Sequence, residues 1–122
     1  MRNTIIMAVT FTKMHLLGND FMLIDNLNRS FQPETHLITH WADRRRGVGF
    51  DQLLLIESIT DPQADFSYRI FNADGHEVGQ CGNGSLCVAD YLFQNKLNRS
   101  AQQIRLMTQK GLIVITREHN QR

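Results

Sequence analysis

The stretch GSLCVADYLFQN, residues 84–95, is apolar around most of a helical circumference. A helix on a protein surface buries only one apolar stripe, whereas this one has apolar side chains on nearly every side. We therefore expect a helix that is enclosed by other parts of the chain. The apolar positions behind this interpretation are Leu86, Val88, Ala89, Tyr91, Leu92 and Phe93.

The rest of the chain has the patterns of strands that would enclose this helix. Asp74-Gly75 predicts a tight hairpin turn, and residues 34–45 predict a peripheral helix that starts after Pro33 and ends before Gly47. The expected fold class is α+β, with six or seven strands and two helices. The predicted strands are residues 8–16, 21–25, 51–59, 66–71, 76–80, 103–108 and 112–116.

Length and composition limit the possible functions. The 122 residues suffice for one domain, and 13 Lys and Arg residues nearly balance 12 Asp and Glu residues. The basic run Arg44–Arg46 is typical of a solvated helix end, so we expect neither a nucleic acid nor a membrane as a partner. Two cysteines without an export signal indicate the reducing cytoplasm.

Cys81 lies at the predicted start of the enclosed helix and is followed by Gly82-Asn83-Gly84. Free backbone N–H groups and the helix dipole favour a thiolate there, and the same N–H groups would bind a carboxylate or phosphate. The alternative is a cysteine packed beneath a turn, because cysteine is among the most frequently buried residue types. The residues alone leave both interpretations open.

The remaining candidates for special chemistry are weaker. Cys87 follows Cys81 by six positions, about 240° around a helix, so it points elsewhere and is expected in the core. His36 and His40 have the i, i+4 spacing of a two-ligand metal site, but no third ligand accompanies them. We expect both histidines to be exposed and no metal to be bound.

Four longer stretches carry a more specific pattern. Together they resemble the diaminopimelate epimerase family of amino-acid racemases and epimerases. The resemblance begins at Val9, so it implies an N-terminal domain at residues 9–122 and an extension at residues 1–8. The four stretches are FTKMHLLGNDFMLID (11–25), RRGVGFDQLLLIE (45–57), DFSYRIFNADGHEVGQCGNGSLC (65–87) and TQKGLIVIT (108–116).

The resemblance implies a two-half enzyme in which each half is a barrel-like sheet wrapped around a central helix. The substrate lies between the halves, each half supplies one cysteine, and no pyridoxal phosphate, metal or other cofactor takes part. One thiolate removes the α-proton while the other cysteine delivers a proton to the opposite face. The reaction interconverts LL- and meso-diaminopimelate for lysine and peptidoglycan synthesis.

By the same resemblance, Cys81 is the first catalytic cysteine. The substrate would contact the side-chain amides of Asn19, Gln52 and Asn72. The backbone N–H groups of Gly82 and Asn83 would bind its α-carboxylate. The second cysteine belongs to a later part of the family's chain, which implies either a separate second-half chain or a homodimer.

Three positions depart from the family's pattern: Leu16 stands where a glycine is usual, Leu86 replaces an arginine, and Asp90 replaces a frequent basic residue. They support a second hypothesis, a truncated and diverged paralogue that no longer catalyses and serves as a protein-interaction module. The first hypothesis is the first half of an epimerase, with little or no activity as a single chain.

Overall fold

The computed structural model describes residues 9–79 and 82–118. The expected extension at residues 1–8 and the candidate catalytic Cys81 lie outside the described residues. Within the described ranges the chain forms seven strands and two helices, as expected. In chain order they are β1 (Thr12–Leu16), β2 (Asn19–Asn26), α1 (Thr35–Ala42), β3 (Gln52–Glu57), β4 (Phe66–Asn72), β5 (Glu77–Val78), α2 (Gly82–Gln94), β6 (Gln103–Thr108) and β7 (Gly111–Thr116).

The strands form one mixed sheet in the order β1-β2-β3-β4-β6-β7, with the short β5 paired to β4. Two pairings, β2 with β3 and β4 with β6, are parallel, and the others are antiparallel. The parallel pairs need long crossovers, which α1 and α2 provide. The α+β prediction is confirmed.

The sheet curves around α2, which contacts the edge strands β1 and β7 as well as β2 and β3. Val88 and Leu92 on this helix are fully buried against the inner face of the sheet. A central helix inside a wrapped sheet is therefore confirmed.

The enclosure of α2 is less complete than its sequence predicts. Leu86 is 50% exposed, and Asp90 and Gln94 are also exposed. These residues are four positions apart, so they fall on one stripe of the helix, which the described residues leave open. The expectation that Leu86 is enclosed was wrong, because the sheet covers the opposite side of the helix.

The outer face of the sheet packs against α1. This helix ends at Ala42, earlier than the predicted residue 45, because the Asp43 carboxylate accepts hydrogen bonds from the backbone N–H groups of Arg45 (2.8 Å) and Arg46 (3.0 Å). Such a side-chain turn competes with helix continuation. The segment after α1 is consequently a compact loop rather than a last helical turn.

The Asp74-Gly75 hairpin is present, with the N–H of Gly75 bonded to the carbonyl of Asn72 at 2.9 Å. The returning strand is only Glu77–Val78, shorter than the predicted 76–80. The reason is topological: the chain must reach Gly82, the first residue of α2, within a few residues of Val78.

Two glycines with the same backbone angle provide a matched test of this hairpin. Gly75 and Gly18 both have φ +88°, but a Cβ at Gly75 would lie 2.5 Å from Thr35 Cγ2 and 2.9 Å from Thr35 O, whereas a Cβ at Gly18 meets nothing within 4 Å. We expect Gly18→Ala to cost about 1–2 kcal/mol of unfolding free energy for the backbone conformation alone. Gly75→Ala should cost about 1–3 kcal/mol more, because α1 must shift. Urea denaturation measures both values, and equal losses would show that the hairpin does not press against α1.

Candidate functional site

The structure brings the three predicted amide side chains, those of Asn19, Gln52 and Asn72, to one end of three neighbouring strands. Gln52 is the register partner of Asn72 on β4, and the parallel partner of Gln52 on β2 is Phe21, two residues after Asn19. Because side chains alternate along a strand, all three amides share the inner face with Phe21. They form a half-buried polar row at the rim of an apolar core.

One hydrogen bond orients two members of this row. Gln52 Nε2 donates to Asn72 Oδ1 at 2.9 Å. The bond ties β3 to β4 above the core and leaves Asn72 presenting its Nδ2 group as a donor. Gln52 and Asn72 are therefore oriented before any ligand binds.

The first turn of α2 lies at the same end of the sheet. The helix follows β5, which pairs with the end of β4 that carries Asn72. Inside the core, the Tyr68 hydroxyl of β4 and the Ser85 hydroxyl of α2 share a hydrogen bond, which fixes the helix against this strand.

Gly82 and Asn83 begin α2, and space around Gly82 is open, since a Cβ there would meet nothing within 4 Å. The first N–H groups of a helix lack intrahelical partners, and the first turn of α2 has no acidic side chain to neutralise its dipole. This end of the helix is chemically suited to a carboxylate. Cys81, the candidate acid or base, directly precedes it in the chain.

A cavity of about 240 Å³ opens between β1 and α2. All three departures from the family pattern line it, namely Leu16, Leu86 and Asp90. Leu16 is also the cross-strand partner of Asn19, so the cavity adjoins the amide row. Cys87, the expected core cysteine, is buried with 5% exposure at the wall of this cavity.

The opposite face of the same strand ends carries an ion network that the sequence analysis missed. The Asp20 carboxylate accepts hydrogen bonds from both terminal nitrogens of Arg44 (2.8 and 2.9 Å) and from Lys13 Nζ (2.8 Å). Arg44 Nη2 also donates to Asp51 Oδ1 at 3.2 Å. The bonds from Arg44 hold the pKa of Asp20 well below its ordinary value, and the same bonds raise the pKa of Arg44.

Arg44 follows the end of α1 and is exposed, as the basic run suggested, but its guanidinium is paired with two aspartates, which the run did not predict. The sequence contained a signal for this ion network. An aspartate is next to each of two predicted amides, in Asn19-Asp20 and in Asp51-Gln52. Alternation places such neighbours on the outer face, where a cation is needed to balance them.

The histidine pair of α1 does not form a site. His36 and His40 are both exposed, and the part of the chain that the structure describes contains no group of three metal-binding side chains. In residues 9–79 and 82–118, no helix is long and apolar enough to cross a membrane.

The Asp20 network predicts a specific pH dependence of stability. A carboxylate whose pKa is lowered by folding stabilises the protein above its unfolded pKa, and that contribution is lost as the pH falls through the folded pKa. Asp20→Asn should cost about 2 kcal/mol at pH 7, on the scale of hydrogen bonds to a charged group. The difference from wild type should shrink from about pH 5 downward.

Urea denaturation at several pH values checks this expectation. The exposed Asp90 is the matched control as Asp90→Asn, since among the described residues its side chain bonds only to that of Gln94. A stability loss in Asp20→Asn that stays constant down to strongly acidic pH would contradict the network's electrostatic role.

Solved structures with little sequence similarity share this fold. A methylitaconate-delta-isomerase superposes with a TM-score of 0.70 at 17% identity, over 88% of this chain and 58% of that one. A probable proline racemase from Agrobacterium radiobacter gives a TM-score of 0.67 at 16% identity, over 91% of this chain and 38% of that one. These similarities support the fold alone.

Sequence comparison identifies closer relatives. A diaminopimelate epimerase of Neisseria meningitidis is 53% identical over 106 residues, which are 87% of this chain and 37% of that protein. One from a Psychrobacter species is 48% identical over 113 residues, 93% of this chain and 38% of that protein. The chain thus spans less than two-fifths of these curated relatives.

The sequence profile of diaminopimelate epimerase matches residues 11–122, which include the amide row and the start of α2. This match covers nearly all of the chain. The protein therefore belongs to the diaminopimelate epimerase family.

Proposed function

We propose that residues 9–122 are the first half of a diaminopimelate epimerase, which supplies one of the two cysteines that interconvert LL- and meso-diaminopimelate. The observation that carries this proposal is that three side-chain amides lie at the end of the sheet where α2 begins, directly after Cys81 in the chain. Family membership supports diaminopimelate as the proposed substrate of that surface.

Substrate binding would use both parts of the surface. The backbone N–H groups of Gly82 and Asn83 donate to the α-carboxylate, whose charge is stabilised by the dipole of α2. The amides of Asn19, Gln52 and Asn72 bind the remaining polar groups around the α-carbon. Amides suit this role because they provide donors and acceptors without adding net charge beside a zwitterion.

The proposed chemistry is a proton exchange between two sulfur atoms and one carbon. The Cys81 thiolate takes the α-proton, so that the C–H bond breaks and an S–H bond forms. A second cysteine, as the thiol, then gives its proton to the opposite face of the α-carbon. The hydrogen bonds to the carboxylate strengthen as negative charge develops on it, and no pyridoxal phosphate or metal is required.

The second cysteine would lie outside residues 9–122, because Cys87, the other cysteine in that range, is buried in the core. A separate chain that supplies the second half is the first possibility. A homodimer that brings two Cys81 thiols together is the other. Either assembly would work in the cytoplasm on a precursor of lysine and peptidoglycan.

Reconstitution tests the proposed function. We expect the 122-residue chain alone to give little or no turnover of LL-diaminopimelate. A mixture with the remaining, second-half part of the Neisseria meningitidis relative should restore it. The reaction is followed by loss of the α-proton NMR signal in D₂O and by chiral separation of the products.

Two matched cysteine variants test whether Cys81 is the catalytic cysteine. Cys81→Ala should lower turnover of the mixture by at least about 100-fold, the scale of a lost acid–base group. Cys87→Ala should keep most of it, because that thiol lies in the core. Equal turnover in both variants would refute the role of Cys81, and full activity of the unmixed chain would refute the need for a second half.

Equilibrium sedimentation distinguishes the two assemblies. If the enzyme is a homodimer, the purified chain should sediment as a dimer at assay concentrations and be active without any added protein. A monomer under those conditions eliminates the homodimer.

A second candidate function is a protein-interaction module without catalysis. The observation that favours it is the cavity between β1 and α2, which is lined by all three departures from the family pattern, including the half-exposed Leu86. An apolar side chain exposed at a cavity is compatible with a contact surface. Under this hypothesis Cys81→Ala retains the biological activity of the chain, whereas an epimerase half loses it.

A further inference from the structure

Asp20 is the centre of the outer-face network and has four donors around its carboxylate. Three are the side-chain nitrogens of Arg44 and Lys13, and the fourth is the backbone N–H of Asp51, which donates to Oδ1 at 2.9 Å. The Asp20 side chain is only 20% exposed. Charge-assisted bonds in this number hold a side chain in one geometry.

Asp51 also accepts a hydrogen bond from Asp20 and so joins β2 and β3 at the ends where the two strands begin. The backbone N–H of Asp20 donates to Asp51 Oδ2 at 3.0 Å, and the N–H of Asp51 also approaches the carbonyl of Asp20 at 3.0 Å. Arg44 Nη2 bridges the two carboxylates, at 2.8 Å from Asp20 Oδ1 and 3.2 Å from Asp51 Oδ1. Without this cation, two carboxylates would face each other across a few ångströms.

The network lies directly behind the amide row. Asp20 follows Asn19 and Asp51 precedes Gln52, and alternation sends the aspartates to the outer face and the amides to the inner face. The outer-face network therefore holds the backbone at both strand ends. The position of that backbone determines where the Asn19 and Gln52 side chains lie on the inner face and in which direction they point. A displacement of either strand end would move an amide relative to Asn72 and the first turn of α2.

Arg44 is itself held in place by the loop after α1. Its stem packs along the backbone of Gly49, where an added Cβ would lie 3.0 Å from Arg44 Cγ. The N–H of Gly49 is bonded to the carbonyl of Trp41 at 2.9 Å, which ties the loop to α1. The stem of Arg44 is thus packed on a loop that is tied to α1.

We propose that Arg44 is a positioning residue for the Asn19 and Gln52 amides and acts through Asp20 and Asp51 from the face opposite the substrate. What the amides bind rests on the proposed function, whereas their positioning by Arg44 does not. The planar fork of arginine matches the geometry of the two carboxylates, which a lysine cannot satisfy simultaneously.

The first test uses the chain without any substrate. NMR spectra of ¹⁵N-labelled protein are recorded for wild type, Arg44→Ala, Arg44→Lys and the control Arg45→Ala. Arg45 is exposed, and its side chain makes no hydrogen bond or ion pair within the described residues. We expect the side-chain NH₂ signals of Asn19 and Gln52 to shift in Arg44→Ala, to shift less in Arg44→Lys, and to stay in place in Arg45→Ala.

The pH profile of these signals separates positioning from a general loss of stability. In wild type they should not respond near pH 4, because Arg44 keeps Asp20 ionised below its ordinary range. In Arg44→Ala they should respond at higher pH than in wild type, because the strongest interaction that lowers the pKa of Asp20 is lost, while those with Lys13 and the Asp51 N–H remain. The other charged or titratable groups facing Asp20 are Lys13, His15 and Asp51, which are present in every variant, so the comparison with Arg45→Ala isolates the changes that depend on Arg44.

The reconstituted enzyme gives an independent second readout. Arg44→Ala should lower kcat/KM by about tenfold or more through misplaced amides, with partial rescue in Arg44→Lys and no change in Arg45→Ala. If wild-type halves show no turnover, the proposed function fails, and the NMR comparison alone decides the role of Arg44. The proposal would be overturned if a folded Arg44→Ala protein had the same side-chain amide signals and pH profiles as Arg45→Ala. If Arg44→Ala does not fold, Arg44→Lys is compared with Arg45→Ala instead.

Discussion

The packing of α2 against the concave face of the sheet determines where every candidate binding group lies. Val88 and Leu92 are fully buried there, and both edge strands reach the helix. The hydroxyls of Tyr68 and Ser85 fix the helix along its axis. Because the helix cannot slide or rotate without opening the core, its first turn stays at the strand ends that carry the amides. The apolar core thus sets the geometry of a polar surface.

The strand ends at this site use both faces of the sheet. The amides lie on the inner face, at the rim of the apolar core. On the outer face, Asp20, Asp51 and Arg44 hold the backbone of the same strand ends. The register of β2 with β3 makes this division possible, since a shift by one residue would exchange the amides for the aspartates. The proposed binding surface and its ionic support are therefore separated by the thickness of a single sheet.

The features that the sequence predicts well are local or carried by motifs. The pattern of residues 84–95 predicts the central helix, and Asp74-Gly75 predicts the hairpin. The family resemblance selects three amides that lie at one end of the sheet.

The features that the sequence misses depend on distant partners. Nothing near Leu86 shows that the sheet covers the opposite side of α2. Arg44 meets Asp20 from 24 positions away, and the basic run around it suggests only a solvated end. One local feature was also missed: α1 ends at Ala42, because the Asp43 side chain outcompetes the next helical turn. The role of Cys81 stays a prediction.

The central claim is that the amide row and the first turn of α2 form one diaminopimelate-binding surface. Titrating the ¹⁵N-labelled chain with LL-diaminopimelate, monitored by NMR, tests it most directly. The claim predicts joint shifts of the side-chain NH₂ signals of Asn19, Gln52 and Asn72 and of the backbone signals of Gly82 and Asn83. The NH₂ signals of Asn28 and Asn98, which lie outside the proposed surface, should not move. Shifts confined to other parts of the chain, or none at the amide row, would contradict it.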